Sequence, residues 1–197
     1  IIIFEKMKNE KMKKIILILC VMLSITQANA QNVFGKIVTT QNDTLKVKVI
    51  TNKTSKIGFA QSIQTKIVVI GEDNLKKEYT PSEIKSIQVK LNNELIEFES
   101  VDDILFAELM YNNKLKLLKF IKKGYTSINI YIIKRPNSGK TSYMEAMGLS
   151  RLISNKVVLR EISDCPVTMN KIETDELKIK GEEGVVSLIK DYEENCY

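Results

Sequence analysis

Short segments in which apolar and polar residues alternate recur along most of this chain, and Asn, Asp or Gly residues separate them. Between residues 44 and 50, for example, Val47 and Val49 alternate with Lys46 and Lys48. Because successive side chains of a strand point to opposite faces of its sheet, this period of two predicts a strand with one buried face. The Gln-Asn-Asp run before this segment consists of turn-compatible residues and follows another apolar segment, so a β-hairpin is expected.

The same reasoning predicts strands at 35–40, 44–50, 56–60, 65–70, 77–80, 84–91, 94–99, 104–111, 114–121, 127–134 and 141–147. Adjacent Asn residues tolerate positive φ, so Asn112 and Asn113 are expected to form a tight two-residue turn. Short strands joined by short turns favour an antiparallel meander that forms a barrel, roll or sandwich.

The last part of the chain has a different period, because the segments 159–172 and 184–192 have helical character. One face of the second segment is apolar at positions i, i+3, i+4 and i+7: Val185, Leu188, Ile189 and Tyr192. Asp164 can cap a helix start, and Pro166 fits a first helical turn. The sequence therefore predicts an α+β, mainly β, fold in which a C-terminal helical element follows the meander.

The N-terminal segment has the three parts of a secretory signal peptide. Lys13 and Lys14 precede an apolar run at 15–23, and Ala28-Asn29-Ala30 forms a cleavage site before Gln31. A membrane anchor would need about 20 apolar residues, and this run is shorter. We therefore expect cleavage between Ala30 and Gln31, with translation starting at Met7 or Met12.

These observations divide the chain into a signal peptide with an upstream extension (1–30), a β-rich domain (31–159) and a C-terminal helical element packed on it (160–197). The net charge of +6 contains +3 from the first part, because residues 1–30 hold five Lys and two Glu. The remaining 25 basic and 22 acidic residues indicate no nucleic-acid partner.

Composition excludes several kinds of chemistry, since the chain contains no His and no Trp. Without His, serine triads and the usual zinc and copper ligand sets are ruled out. Cys165 and Cys196 remain after the signal peptide is removed, and in an oxidising compartment they are expected to form a disulfide. The alternative is a pair of free thiols. No catalytic, cofactor-binding or metal-binding residue is predicted, and no cofactor is expected.

Four groups of residues resemble functional sites but have simpler interpretations. Ser138-Gly139-Lys140-Thr141 is similar to the end of a phosphate-binding loop, but a hairpin turn is favoured because the following residues suggest a strand. The acids Glu97, Glu99, Asp102 and Asp103 are interpreted as one strand face followed by a turn rather than a calcium site.

The other two groups are basic and aromatic. Five lysines are interpreted as the solvated face and end of a strand, with a polyanion site as the minority interpretation: Lys114, Lys116, Lys119, Lys122 and Lys123. Five tyrosines are expected to pack in strands rather than to line a glycan platform: Tyr79, Tyr111, Tyr125, Tyr131 and Tyr143.

Four short motifs resemble a family of uncharacterised secreted or periplasmic proteins of the Bacteroidota. They are the opening Gly-Lys-Ile-Val-Thr (35–39) with Asn-Asp-Thr-Leu (42–45), Tyr-Thr-Pro-Ser-Glu-Ile-Lys (79–85), Asp-Cys-Pro (164–166) and the C-terminal Tyr192 to Cys196 segment. The resemblance implies an exported β-rich domain with a C-terminal helical element. It implies no established reaction and transfers no catalytic residue.

We therefore expect a protein exported to the periplasm, the cell surface or the exterior, without a stable membrane span after cleavage. The first hypothesis is a non-catalytic binding or scaffolding domain whose partner is an envelope protein or glycan. The alternative is a hydrolase that acts on envelope glycans through Asp or Glu residues. A weaker third option is an oligomerising structural component.

Overall fold

The computed structural model describes residues 31–123, 127–136, 139–147 and 152–197. Gln31–Tyr197 form one compact unit. The described strands are β1 (Gln31–Thr39), β2 (Thr44–Thr51), β3 (Ile67–Ile70), β4 (Lys76–Tyr79), β5 (Ile84–Leu91), β6 (Glu94–Val101), β7 (Leu105–Asn112), β8 (Lys116–Lys122), β9 (Ile128–Arg135), β10 (Lys140–Met147) and β11 (Leu152–Ile153). The described helices are α1 (Lys56–Ile63), α2 (Asn155–Glu161), α3 (Pro166–Glu173) and α4 (Gly181–Cys196).

All the described strands belong to one antiparallel sheet in the order β11-β10-β9-β8-β7-β6-β5-β1-β2-β3-β4. The pairing of β1 with β5 is the one place in this order where neighbours are not consecutive in sequence. No pairing of β4 with β11 closes the described sheet. The predicted α+β, mainly β, fold with an antiparallel meander and C-terminal helices is therefore confirmed, and its sheet is open.

The two faces of the sheet differ in what covers them. We call the face that carries the buried Ile37, Val49 and Ile87 the inner face, and the opposite one the outer face. Helix α1 packs on the inner face of the N-terminal half, and α2 to α4 contribute to the apolar core on the inner face of β8 to β10. Apolar side chains also fill the outer face of β7 to β9, where Leu118 and Ile132 are fully buried.

The segment 56–60 forms the first turns of α1, so the prediction of a strand there is wrong. The Ser55 side chain accepts a hydrogen bond from the Gly58 backbone N–H and caps the helix. Phe59, Ala60 and Ile63 are buried, a spacing that suits a helix and not a strand. Within 56–60 alone, however, Ile57 and Phe59 are two residues apart, which is also the spacing of a strand.

Paired Asn residues behave differently at two turns. Asn92 and Asn93 have φ of 50° and 67° and form a two-residue hairpin between β5 and β6. Neither Asn112 nor Asn113 is among the described residues with positive φ, so the tight turn predicted there is wrong. An irregularity between Leu109 and Tyr111 shifts the β7–β8 register, and the loop is longer than predicted.

The apolar stripe predicted for the last helix is confirmed, but the helix predicted before it is wrong. The four residues of the α4 stripe are all buried in the apolar core. The predicted helix at 159–172 is instead two helices, α2 and α3. Asp164 does not cap α3, whose N-cap is Cys165, because its carboxylate accepts a hydrogen bond from the Tyr192 hydroxyl. Pro166 occupies the first turn, as predicted.

The predicted disulfide is present and joins the start of α3 to the end of α4. Cys165 and Cys196 are bonded, with their Cα atoms 5.7 Å apart. Cys165 is fully buried in the core beneath the helices. The predicted cleavage site has Ala30 outside the described residues, and β1 begins at Gln31.

Candidate binding site

The outer face of the N-terminal half of the sheet carries exposed apolar side chains among lysines. Phe34 on β1 and Leu95 on β6 are 65% and 63% exposed. Phe34 lies opposite Lys48 on β2, whose Nζ lies 5.6 Å from the centre of the Phe34 ring. Large apolar side chains grouped on an open surface are typical of binding sites.

A shallow groove with a volume of about 530 Å³ runs across this face. We call the following residues of its lining the basic groove: Phe34, Lys36, Lys46, Lys48, Lys90 and Leu95. Gly35 holds the groove strands together, because a Cβ atom there would lie 2.4 Å from the Gln88 carbonyl oxygen of β5. The absence of a side chain therefore lets β1 approach β5 and leaves Lys36 directly opposite Gln88.

The lysines of the basic groove are not neutralised. Lys36 and Lys46 are direct partners across the β1–β2 pair, an arrangement in which like charges destabilise a sheet. None of the four groove lysines forms an ion pair with any residue that the structure describes. The groove therefore keeps its positive charge available to solvent.

A second cleft with a volume of about 590 Å³ lies beside β2 and shares Lys46 and Glu72 with the groove lining. We call these residues the edge cleft: Leu45, Leu75, Lys76, Lys77 and Tyr79. Together, the groove and the cleft contain six lysines but only the acids Glu72 and Asp73. The rest of 31–197 then has 19 basic and 20 acidic residues, so the positive charge of the chain is concentrated here.

Charged residues on the inner face are paired instead. Glu108 and Lys119 are only 4% and 6% exposed, and they are partners across β7 and β8. Glu108 bonds Lys56 of α1 at 2.7 Å and Lys119 at 3.1 Å, and Lys119 bonds Glu182 of α4 at 2.8 Å. We call these four residues the ion chain, and it connects α1 to α4 across the sheet. Burial lowers the pKa of Lys56, but hydrogen bonds to Glu108 and Glu94 outweigh burial and raise it.

Two further buried polar groups attach α4 to the sheet. The Arg135 guanidinium donates to the Tyr192 hydroxyl, to Ser142 Oγ and to the Glu161 carbonyl. Burial raises the pKa of Tyr192, and the hydrogen bond to Asp164 adds to this effect. The Glu193 carboxylate accepts hydrogen bonds from Tyr111, Asn113 and the Leu115 backbone N–H. Because Arg135 and Glu193 hydrogen-bond to other groups of the protein, we assign them a role in packing α4 against the sheet rather than in catalysis.

The structure separates the acids that the sequence grouped. Glu97 and Glu99 share the outer face of β6, as predicted, and Asp102 and Asp103 form a turn with φ of 52° and 57°. Burial and the nearby Glu99 raise the pKa of Glu97, against the opposing effect of Lys116. Asp102 accepts a hydrogen bond from Tyr143 at 2.7 Å, which raises the pKa of Tyr143 to about 12. Among the described residues, no group of His, Cys, Asp and Glu has the arrangement of a metal site.

The predicted lysine face on β8 is partly wrong. Strand β8 lies between β7 and β9 and is not an edge strand. Lys119 is buried in the ion chain, and Lys116 bonds Glu99 at 2.6 Å. Lys114, Lys122 and Lys123 are exposed. The sequence shows that lysines cluster in this segment. The acids that neutralise Lys116 and Lys119 lie on other elements, namely β6, β7 and α4.

The four of these tyrosines that the structure describes do not form a common platform. Tyr79 and Tyr131 are buried, Tyr111 contacts Glu193 and Tyr143 is exposed, whereas Tyr125 lies outside the described residues. Strand β10 follows Gly139, which has φ of 65°, so the hairpin interpretation of the segment 138–141 is supported, although Ser138 itself is outside the described residues.

Sequence reasoning missed the basic groove. The alternation of Lys46 and Lys48 in β2 places both on one face, but only the register shows that Lys36 and Phe34 lie beside them. No helix in the described part of the chain has the length and apolar character needed to cross a membrane. Comparison of the chain with protein-family models, curated protein sequences and solved structures found no significant match.

Proposed function

We propose that this chain is an exported protein of the cell envelope that binds a partner without covalent chemistry, and that the basic groove is its binding site. The observation that carries the proposal is the set of unneutralised lysines around exposed Phe34 and Leu95. A sheet built for stability alone would not place Lys36 opposite Lys46. Local conflicts of this kind are expected at functional sites.

The chemistry of the groove specifies the partner. Amine groups spaced across β1, β2 and β5 favour a partner with several carboxylates, and the apolar side chains favour apolar groups between them. Charges on exposed surfaces mainly affect association rate and specificity, whereas burial of Phe34 and Leu95 contributes affinity. The partner is therefore acidic and amphipathic.

Export is supported by two separate features. The N-terminal segment has the composition of a signal peptide, and the Cys165–Cys196 bond is typical of oxidising compartments. Membership of the secreted Bacteroidota family is part of the same proposal and rests on the short motifs alone. N-terminal sequencing of protein purified from the envelope fraction tests export: a start at Gln31 supports it, and a start upstream overturns it.

Binding to labelled poly-L-glutamate, followed by fluorescence anisotropy, tests the groove. The double variant Lys36→Glu/Lys48→Glu should weaken binding at least about tenfold, since it replaces two attractive charges by repulsive ones. Phe34→Ala should weaken binding without changing the charge. The matched control is Lys178→Glu, an exposed lysine outside the groove, which should change the dissociation constant less than about twofold.

Equal losses for the groove variants and for Lys178→Glu would show unspecific attraction and overturn the proposal. Failure of the protein to bind either polyglutamate or polygalacturonate at low salt would overturn it as well. Circular dichroism of each variant establishes that the fold is retained.

A second candidate function is hydrolysis of envelope glycans, and one observation favours it. Glu97 has a raised pKa, lies on the same strand face as Glu99 and is the direct cross-strand partner of Gln88 in the groove lining. Glycoside hydrolysis uses an acid of raised pKa beside a second carboxylate, and burial raises the pKa of Glu97 beside Glu99. Release of reducing ends from envelope glycans, abolished at least about 100-fold by Glu97→Gln, would establish it. Absence of release by the unchanged protein would reject it.

A further inference from the structure

Strand β2 has a free edge beside the basic groove. It pairs with β1 along its whole length, from Thr44 to Thr51, but it pairs with β3 only at Lys48 and Val49. In the described part of the chain, the segment Thr44–Val47 therefore has no strand on its second edge. An unpaired strand edge presents backbone donors and acceptors to any chain that can pair with it.

The hydrogen bonds of the β1–β2 hairpin show which backbone groups point to this edge. The Thr39 N–H donates to the Asp43 carbonyl at 2.9 Å, in register with the Val38–Thr44 pair. Hydrogen-bonded pairs alternate along an antiparallel ladder, so Leu45 and Val47 direct their N–H and C=O groups to β1. Thr44 and Lys46 direct theirs to the free edge.

The hairpin between β3 and β4 stops short of this segment and does not occupy the edge. Its tip closes on itself, because the Gly71 N–H donates to the Leu75 carbonyl and the Asn74 N–H donates to the Gly71 carbonyl. The Leu75 N–H donates to the Asp73 carboxylate. The tip therefore satisfies its own backbone groups, and the edge cleft separates Thr44–Val47 from the loop 71–75.

Side chains beside the free edge have the same character as the basic groove. Leu75 is 67% exposed, and Leu45 is also exposed. Lys46, Lys76 and Lys77 line the same cleft. Four residues of strand span about 13 Å, enough for an added segment to form two pairs of backbone hydrogen bonds.

The described ends of the sheet differ from this edge. Strand β4 is four residues long with Lys76 and Lys77 on it, and β11 is two residues long. Short strands and lysines are the usual protection of an edge against pairing. The segment Thr44–Val47 also carries Lys46, but it belongs to a strand of eight residues and has no covering element among the described residues. Lys46 repels another basic edge and attracts an acidic strand.

We propose that an extended acidic segment of a partner protein adds to β2 at Thr44–Val47 as a further strand. This inference rests on the proposed function and names its partner as a polypeptide rather than a glycan. A polypeptide backbone satisfies the alternating donors and acceptors of Thr44 and Lys46, which a saccharide cannot match at strand spacing. Acidic side chains on one face of the segment meet the lysines, and apolar side chains meet Leu45 and Leu75.

The test uses a labelled peptide of about eight residues in which Glu alternates with Leu and Val. Two derivatives carry N-methyl groups, one on the odd residues and the other on the even residues. Only every second residue of an added strand faces β2, so one derivative should lose binding at least about tenfold and the other should stay within about threefold of the parent. Because the change is in the peptide, folding of the protein is not affected.

Equal affinities of the two derivatives would overturn strand addition. Absence of peptide binding at about 1 mM would also overturn it. If polygalacturonate binds and its binding is weakened by Lys36→Glu/Lys48→Glu, the proposed function stands while strand addition fails. If no anionic probe binds the protein, both fail.

Discussion

The outer face of β1, β2 and β5 and the inner face of β7 to β10 use similar alternating strands but treat charge in opposite ways. On the inner face, Glu108 and Lys119 are buried and paired with each other. On the outer face, Lys36 and Lys46 are exposed and repel each other. Burial of an unpaired charge is so unfavourable that the inner face tolerates only neutralised groups, whereas solvent tolerates repulsion on the outer face. The contrast shows where charge is buried and paired, and under the proposed function it places the binding surface in the N-terminal half.

The largest effect is expected at the disulfide of the C-terminal half. Replacing both Cys165 and Cys196 by Ser should lower the free energy of unfolding by about 3–4 kcal/mol, because the bond closes a long loop in the unfolded chain. Guanidinium unfolding followed by circular dichroism measures the change. The exchange of backbone amide hydrogens should become faster first in α3 and α4. An equal increase in the exchange rates of β1 and β2 would contradict the division into two halves.

A loss of about 3 kcal/mol is expected for Glu108→Leu, because Lys119 would stay buried with only the partly exposed Glu182 as partner. The double variant Glu108→Leu/Lys119→Met should recover at least half of this loss, since it removes both buried charges. Urea unfolding of the two variants measures the difference. A double variant as unstable as the single one would show that the pair contributes through packing and not charge.

Removing charge from the groove should have the opposite sign. Lys46→Glu places an acid opposite Lys36 and should raise the free energy of unfolding by about 0.2–1 kcal/mol. Thermal unfolding at low and high salt measures the gain, which salt should reduce. Lys178→Glu serves as the control. A destabilised Lys46→Glu would mean that the groove lysines support the fold.

The smallest effect is expected at Glu97, and it depends on pH. Its pKa is raised in the folded protein, mainly by burial, so ionisation opposes folding. Stability is unaffected well below the ordinary glutamate pKa of 4.5 and falls as pH rises through that value toward the raised one. Glu97→Gln should therefore stabilise the protein by less than about 1 kcal/mol at pH 7 and leave it unchanged at about pH 3. A gain of equal size at both pH values would refute this account.

Sequence patterns predicted the hairpins well because alternation and turn residues are local signals. The strand at Ile84–Leu91 was predicted with its observed limits, and the turn residues Asn92-Asn93 follow it. Helix α1 was missed because Ile57 and Phe59 have the spacing of a strand when 56–60 is considered alone. The most informative missed signal was Ser55, whose cap precedes the apolar residues of the helix.

The two charge arrangements could not be predicted because both depend on register. A two-residue turn at Asn112-Asn113 would place Glu108 opposite Leu117, but the irregularity after Leu109 places it opposite Lys119. The groove requires the pairing of β1 with both β2 and β5, and that second partner is distant in sequence. Glu108 and Lys119 interrupt the apolar middle parts of their strands, which is a local sign that they are buried and paired.

The order of the strands has a consequence for how the chain reaches its folded state. Except for the β1–β5 pairing, every pairing in the described sheet joins strands that are adjacent in sequence, so most of the sheet can assemble hairpin by hairpin with short loop closures. A chain delivered end first in extended form would meet most partners in the order in which they emerge. The pairing of β1 with β5 closes a longer loop than any hairpin of the described sheet, so it has the largest loop-closure cost among these pairings.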